Sequence, residues 1–195
     1  MDQGGPMMSK VSVAQQTKIA DVSDVEAPLR LPDTASTAEI VLNAGLAFCV
    51  RKMGLNDPRE VVKRLQQGES SACAYCRYGL AKKVAESIGN LDDNIKSVYV
   101  LDYDATPHDL CFGQGKSRSP LHLIVWAERK TDALASLVAA LDRALVKRYA
   151  ELISAPDLVR LLDVQVVDDQ EVEGCIGYGA LLSSTHNRPI QVWER

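Results

Sequence analysis

The chain has 195 residues, 46% of them hydrophobic and 25% charged, with a formal net charge of −4. That is ordinary globular composition, long enough to bury a core without covalent staples, and the negative balance argues against a nucleic acid or an anionic membrane surface as partner. The longest uncharged apolar run, residues 40–50, is about half of the roughly 20 residues a bilayer span needs, so no membrane segment is expected.

In chain order, residues 1–35 hold Gly4, Gly5, Pro6, Pro28 and Pro32 among scattered charges, without a sustained period. They read as an extended or disordered tail. A helical segment is expected over 36–89. Ser36 and Glu39 form a candidate capping box for its first helix, which runs to about Met53 with Gly54 in the left-handed closing position. Asp57 caps the second helix, with Pro58 at its first position, and Gly68 ends it. Ser70 or Ser71 caps the third, which Gly89 ends.

The pattern then changes. Residues 95–103 are rich in Val and Tyr and read as a strand. Residues 121–127, apolar on both faces, read as a central strand. Thr131 caps a long helix with the stripe Leu134, Leu137, Val138, Leu141, Leu145, Tyr149 and Leu152. Residues 162–167 alternate as a half-buried strand. The last two strands, near 178–183 and 190–193, are expected to form a hairpin through Thr185-His186-Asn187-Arg188-Pro189. The fold expected is therefore α/β (α+β mixed): a mixed β-sheet with a βαβ crossover and a C-terminal hairpin, preceded by a small three-helix segment. Residues 90–195 form the α/β domain, joined with 36–89 into one unit over 36–195.

The pointed chemical feature is Cys73-Ala74-Tyr75-Cys76. Of the five cysteines, the others are Cys49, Cys111 and Cys175. Their odd number and irregular spacing, with no apolar leader in residues 1–10, suggest thiols in a reducing, cytoplasmic setting rather than a secreted disulfide framework. The Cys-x-x-Cys pair has three readings. Cys73, Cys76, Leu80, Val84 and Ile88 share one helix face, so both cysteines fit a core stripe. A thiol near a helix N-terminus is also favoured as thiolate, which makes Cys73 and Cys76 a candidate thiol–disulfide oxidoreductase pair, although a helix precedes the motif where a thioredoxin-like context has a strand. Finally, Cys73 and Cys76 with His108 and Cys111 supply Cys3His, a tetrahedral zinc set.

The long connection over 104–120 carries a second polar group. Asp102 and Asp104 stand at the end of the first strand, where α/β sheets tend to bind ligands. Lys116 and Arg118 follow a Gly-x-Gly pair and offer cations to an anion. Gly115-Lys116-Ser117 lacks the remainder of a phosphate loop, since Leu110 stands where glycine is needed and Pro120 and a strand follow. His122 shares a face with Ile124 and Trp126 and reads as a satisfied histidine. The run Gly174-Cys175-Ile176-Gly177-Tyr178-Gly179 has no strand-to-helix context and reads as close backbone packing or a bulge. Aromatic content of 5% gives no stacking platform for RNA.

The expectation for function is a non-enzymatic binding or accessory protein, with zinc as the expected cofactor where one is held. An oxidoreductase and a small-ligand site on the 104–120 connection are the alternatives. A homo-oligomer is expected, because two-faced apolar strands and an uncharged helix need covering.

Overall fold

The structure is a computed structural model that describes residues 33–101, 112, 119–186 and 188–195. The expected tail, apart from its last three residues, lies outside them. Helix α1 spans Thr34–Met53, α2 Pro58–Gln66 and α3 Ser70–Gly89, followed by strand β1 (Ile95–Val100) and strand β2 (Leu121–Ala127). Helix α4 spans Asp132–Ile153, β3 Leu162–Val167, the short helices α5 and α6 Asp169–Glu173 and Gly179–Leu182, and β4 Ile190–Glu194. No helix among the described residues is long and apolar enough to cross a membrane.

Local chemistry sets most boundaries. Asp57 accepts from the Arg59 backbone N–H with Pro58 first in α2, and Thr131 accepts from Leu134 N–H to open α4. Gly54 closes α1 at φ 65°, and the Leu55 N–H reaches back to the Val50 carbonyl. Two expected caps are displaced. Asp33 takes the role assigned to Ser36, accepting from Ala35 N–H, so the helix starts three residues earlier. At α3 the cap position is Glu69, whose carboxylate instead holds the Ser71 hydroxyl at 2.6 Å and Arg64 at 3.2 Å. Those donors keep the Glu69 carboxyl below its usual range.

The sheet is mixed, in the order β3-β2-β1-β4. β2 and β3 are parallel through the α4 crossover, in register from Leu121 opposite Leu162 to Trp126 opposite Val167. β1 is antiparallel to both β2 and β4. The expected C-terminal hairpin is not formed. Residues 179–182 are helical, and β4 pairs with β1. A short apolar run does not reveal its period, and here the glycines decide. An added Cβ on Gly179 would collide with the Glu171 carbonyl, and one on Gly174 would press on the Gln170 carbonyl. These turns therefore stack backbone on backbone, with Gly177 at φ 54°.

Alternation along β2 divides the interior. Leu121, Leu123, Val125 and Ala127 face the main core with Leu80, Val84 and Ile88 of α3 and Leu134, Leu141 and Leu145 of α4. Ile124 faces the other side, with Tyr99, Val167 and Leu182, and α5 and α6 cover that smaller cluster. Helix α1 packs behind α3 and α4. The entry to β3 is tied to α4 by Asp142, whose Oδ1 accepts from the Leu161 and Leu162 N–H groups at 3.0 and 2.8 Å.

Candidate functional site

The β1–β2 connection leaves the sheet at Leu101, whose N–H bonds the His122 carbonyl, and the sheet resumes at Leu121, whose N–H bonds the Leu161 carbonyl. Asp102, Asp104, His108, Cys111, Lys116 and Arg118, singled out in the sequence, all lie outside the described residues. Phe112, within that connection, is described and only 3% exposed. Its ring meets Tyr149 edge-on at 5.5 Å and has the Arg77 guanidinium 4.9 Å from its centre. Arg77 is itself buried and donates to the carbonyls of Ser119 and Pro120 at 3.0 and 2.6 Å.

Cys73 and Cys76 sit on the buried face of α3 with Leu80, Val84 and Ile88. They are not bonded to each other: Cys76 is a free thiol, and Cys73 is disulfide-bonded. The neighbours of Cys76 are Cys49 of α1 and Tyr149 of α4. The hydrogen bond from Cys76 holds the Cys49 thiol below its ordinary range. The same contact, with burial, pushes Cys76 up, and burial raises Tyr149. Among the described residues no group of three or more His, Cys, Asp or Glu is placed to hold a metal ion. Of the expected zinc set, the two α3 cysteines are described, and His108 and Cys111 lie outside.

On the outer sheet face His122 shares its side with Ile124 and Trp126, as the alternation implies. His122 Nδ1 lies 3.0 Å from Asp163 Oδ2, across the parallel register that pairs the two residues. Asp163 also accepts from Gln165 at 3.3 Å and pairs with Arg160 at 3.3 Å. Its carboxylate is thus occupied from three sides, which fits a satisfied histidine on an inner strand, paired to the edge strand β3. Further along the face, Asp169 takes Lys96 at 2.7 Å and the Trp126 indole N–H at 2.8 Å. These donors lower the Asp169 carboxyl and raise Lys96.

A cleft of about 330 Å³ opens between α1 and α4. Leu42, Leu46 and Leu152 give it apolar walls, and Glu39, Asn43, Arg148 and Glu151 form its polar lining. Arg148 spans the rim, 4.0 Å from Glu39 and 3.8 Å from Glu151, at the outer limit of an ion pair. Sequence reasoning missed this place. The Leu42/Leu46 spacing reads equally as core, and the charges converge only when α1 and α4 pack side by side. Among the described residues that line it there is no His, Cys or Ser; these residues offer carboxylates and a guanidinium. Comparison of the chain with protein-family models, with curated proteins and with solved structures finds no match.

Proposed function

We propose that this chain is a non-enzymatic binding protein that holds a small amphipathic cation in the α1–α4 cleft. The observation that carries the reading is the cleft itself. Its volume of about 330 Å³ falls at the lower end of the roughly 300–1,000 Å³ usual for ligand sites, and its mixture of apolar walls with few polar groups is what such sites use for affinity and orientation. Two carboxylates against one guanidinium favour a positive head group. Because Arg148 sits at the limit of pairing distance from both glutamates, a ligand ammonium competes for them at little cost. The three leucines receive a short alkyl body, each buried methylene contributing about 0.8 kcal/mol.

The test is titration with hexylammonium, hexanol and hexanoate, followed through the methyl resonances of Leu42, Leu46 and Leu152. Saturable shifts are expected, strongest for hexylammonium and weakest for hexanoate. Affinity is expected near the millimolar range, about 4 kcal/mol. Asn43→Trp, at an exposed position on the cleft lining, fills the space and is expected to abolish the shifts while leaving the fold intact. Absence of a saturable response to hexylammonium, or equal response in the Asn43→Trp variant, would overturn the reading.

A further inference from the structure

The buried thiols Cys49 and Cys76 have no part in the cleft. They face each other where α1 and α3 pack in opposite directions, and small residues bring the two backbones together there. An added Cβ on Gly79 would lie 3.2 Å from the Gly45 Cα and 3.3 Å from its carbonyl oxygen. With a carbon–carbon bond of about 1.5 Å, the two Cα atoms are within about 4.7 Å of each other. One turn along, Cys49 Sγ points at the Ala72 carbonyl at 3.9 Å. Ala72 is one turn before Cys76, so the Cys49 sulfur lies against the turn that carries Cys76. A disulfide needs Cα atoms about 4.4–6.8 Å apart with side chains pointing at one another. A helix pair touching at Gly45 and Gly79 provides that approach one turn away.

We propose that Cys49 and Cys76 are a two-electron redox centre that closes to a disulfide, joining α1 to α3, when the chain meets a hydroperoxide. The Cys49 sulfur, as thiolate, attacks a peroxide oxygen. The O–O bond breaks, water leaves after protonation, and Cys49 becomes a sulfenic acid. The Cys76 sulfur then attacks the Cys49 sulfur. The S–S bond forms, and the sulfenic hydroxyl departs with the Cys76 proton as a second water. Overall two thiols give up two electrons and two protons, and hydrogen peroxide becomes two waters. Cys49 is 0% and Cys76 2% exposed, so the oxidant enters only when α1 lifts from α3, and the rate follows that opening rather than the thiolate fraction alone. The inference is independent of the cleft ligand.

The experiment uses the full chain carrying Cys175→Ser, which removes the exposed thiol and leaves the pair untouched. The protein is treated with hydrogen peroxide, counted for thiols after unfolding, and mapped by non-reducing peptide mass spectrometry. Amide exchange in α1 and α3 is followed in parallel. The expected result is a loss of two thiols per chain, a linked peptide pair containing Cys49 and Cys76, and recovery of both on reduction. Added Cys76→Ala is expected to eliminate the linked pair. Three results would overturn the proposal: Cys76 linked to Cys73, Cys49 carried to sulfinic acid without a cross-link, or both thiols intact after the α1 and α3 amides have exchanged. Because exchange reports the opening directly, lack of access is not an escape from the last outcome.

Discussion

Replacing Arg77 by methionine keeps an unbranched apolar stem and removes the guanidinium with its charge. Arg77 is 3% exposed and donates to two main-chain carbonyls, Ser119 and Pro120. A buried ion pair can be replaced by apolar residues at no loss, because both partners go together. Here the acceptors are backbone and stay. Each carbonyl stripped of its donor costs about 1–3 kcal/mol, and the guanidinium over Phe112 contributes about 1–2 kcal/mol more when desolvated. Relief of the buried charge and the apolar gain from methionine offset part of this. The net loss expected for Arg77→Met is about 2–4 kcal/mol, which at a urea slope of about 2 kcal/mol per molar lowers the midpoint by roughly 1–2 M. Arg77→Lys keeps a charge but not the two-pronged geometry, so its loss is expected to be roughly half as large. Urea denaturation followed by far-UV circular dichroism measures both. An Arg77→Met midpoint equal to or above that of the wild type would refute the reasoning, since the two carbonyls would then have another way to be satisfied.

Two further outcomes follow from packing and charge. An added Cβ on Gly89 would collide with the Trp193 ring, so Gly89→Ala is expected to cost about 1–3 kcal/mol despite the higher helix propensity of alanine; in a double-mutant cycle read by chemical denaturation, the same change made in a Trp193→Leu background is expected to cost less, and equal costs in both backgrounds would remove the steric explanation. Asp169 has its carboxyl lowered by Lys96 and Trp126, so its contribution is present above the ordinary aspartate range and is lost as pH falls through the lowered folded value. Asp169→Asn is therefore expected to lower the urea midpoint at pH 7 and to differ little from wild type near pH 2. A difference unchanged between the two pH values would show that the charge is not the source.

The fold was legible where local chemistry and periodicity agree. Asp57-Pro58, Gly54 and Thr131 mark their helix ends whatever the chain does elsewhere, and the alternation at 162–167 with the helix before it specifies a parallel crossover. Legibility ended where backbone contact decides. The run 178–182 is apolar and brief, and only the packing of its turn onto the carbonyl of Glu171 makes it a helix instead of half a hairpin. Asp33 outcompetes Ser36 as a cap because helix α1 extends back to it, which a capping-box pattern alone does not reveal. The candidate sites show the same division. Spacing placed Cys73 and Cys76 on one face of α3. It gave no sign that Cys76 meets Cys49 and Tyr149, residues 27 and 73 positions away, because that meeting is made by the crossing of three helices. The α1–α4 cleft is likewise a product of packing, and nothing within either helix announces it.

The order β3-β2-β1-β4 has a consequence for the chain as it is being made. β1 lies between β2 and β4, but the two neighbours differ greatly in sequence distance. β2 begins 21 residues after the end of β1, whereas β4 begins 90 residues after it. During synthesis β1 therefore pairs on one side long before its second partner leaves the ribosome. At the pace of about 5–20 residues per second, the free edge of Ser97–Val100 is exposed for roughly 5–20 seconds. That edge is apolar and unprotected by proline, the kind that recruits other strands. The Arg195 side chain, donating to the carbonyls of Gly89, Asp92 and Ile95, fastens the end of β4 against the start of β1. The exposure ends only with arrival of the segment that carries this clasp, which makes the interval before it the time at which nascent chains of this protein are most open to pairing with one another.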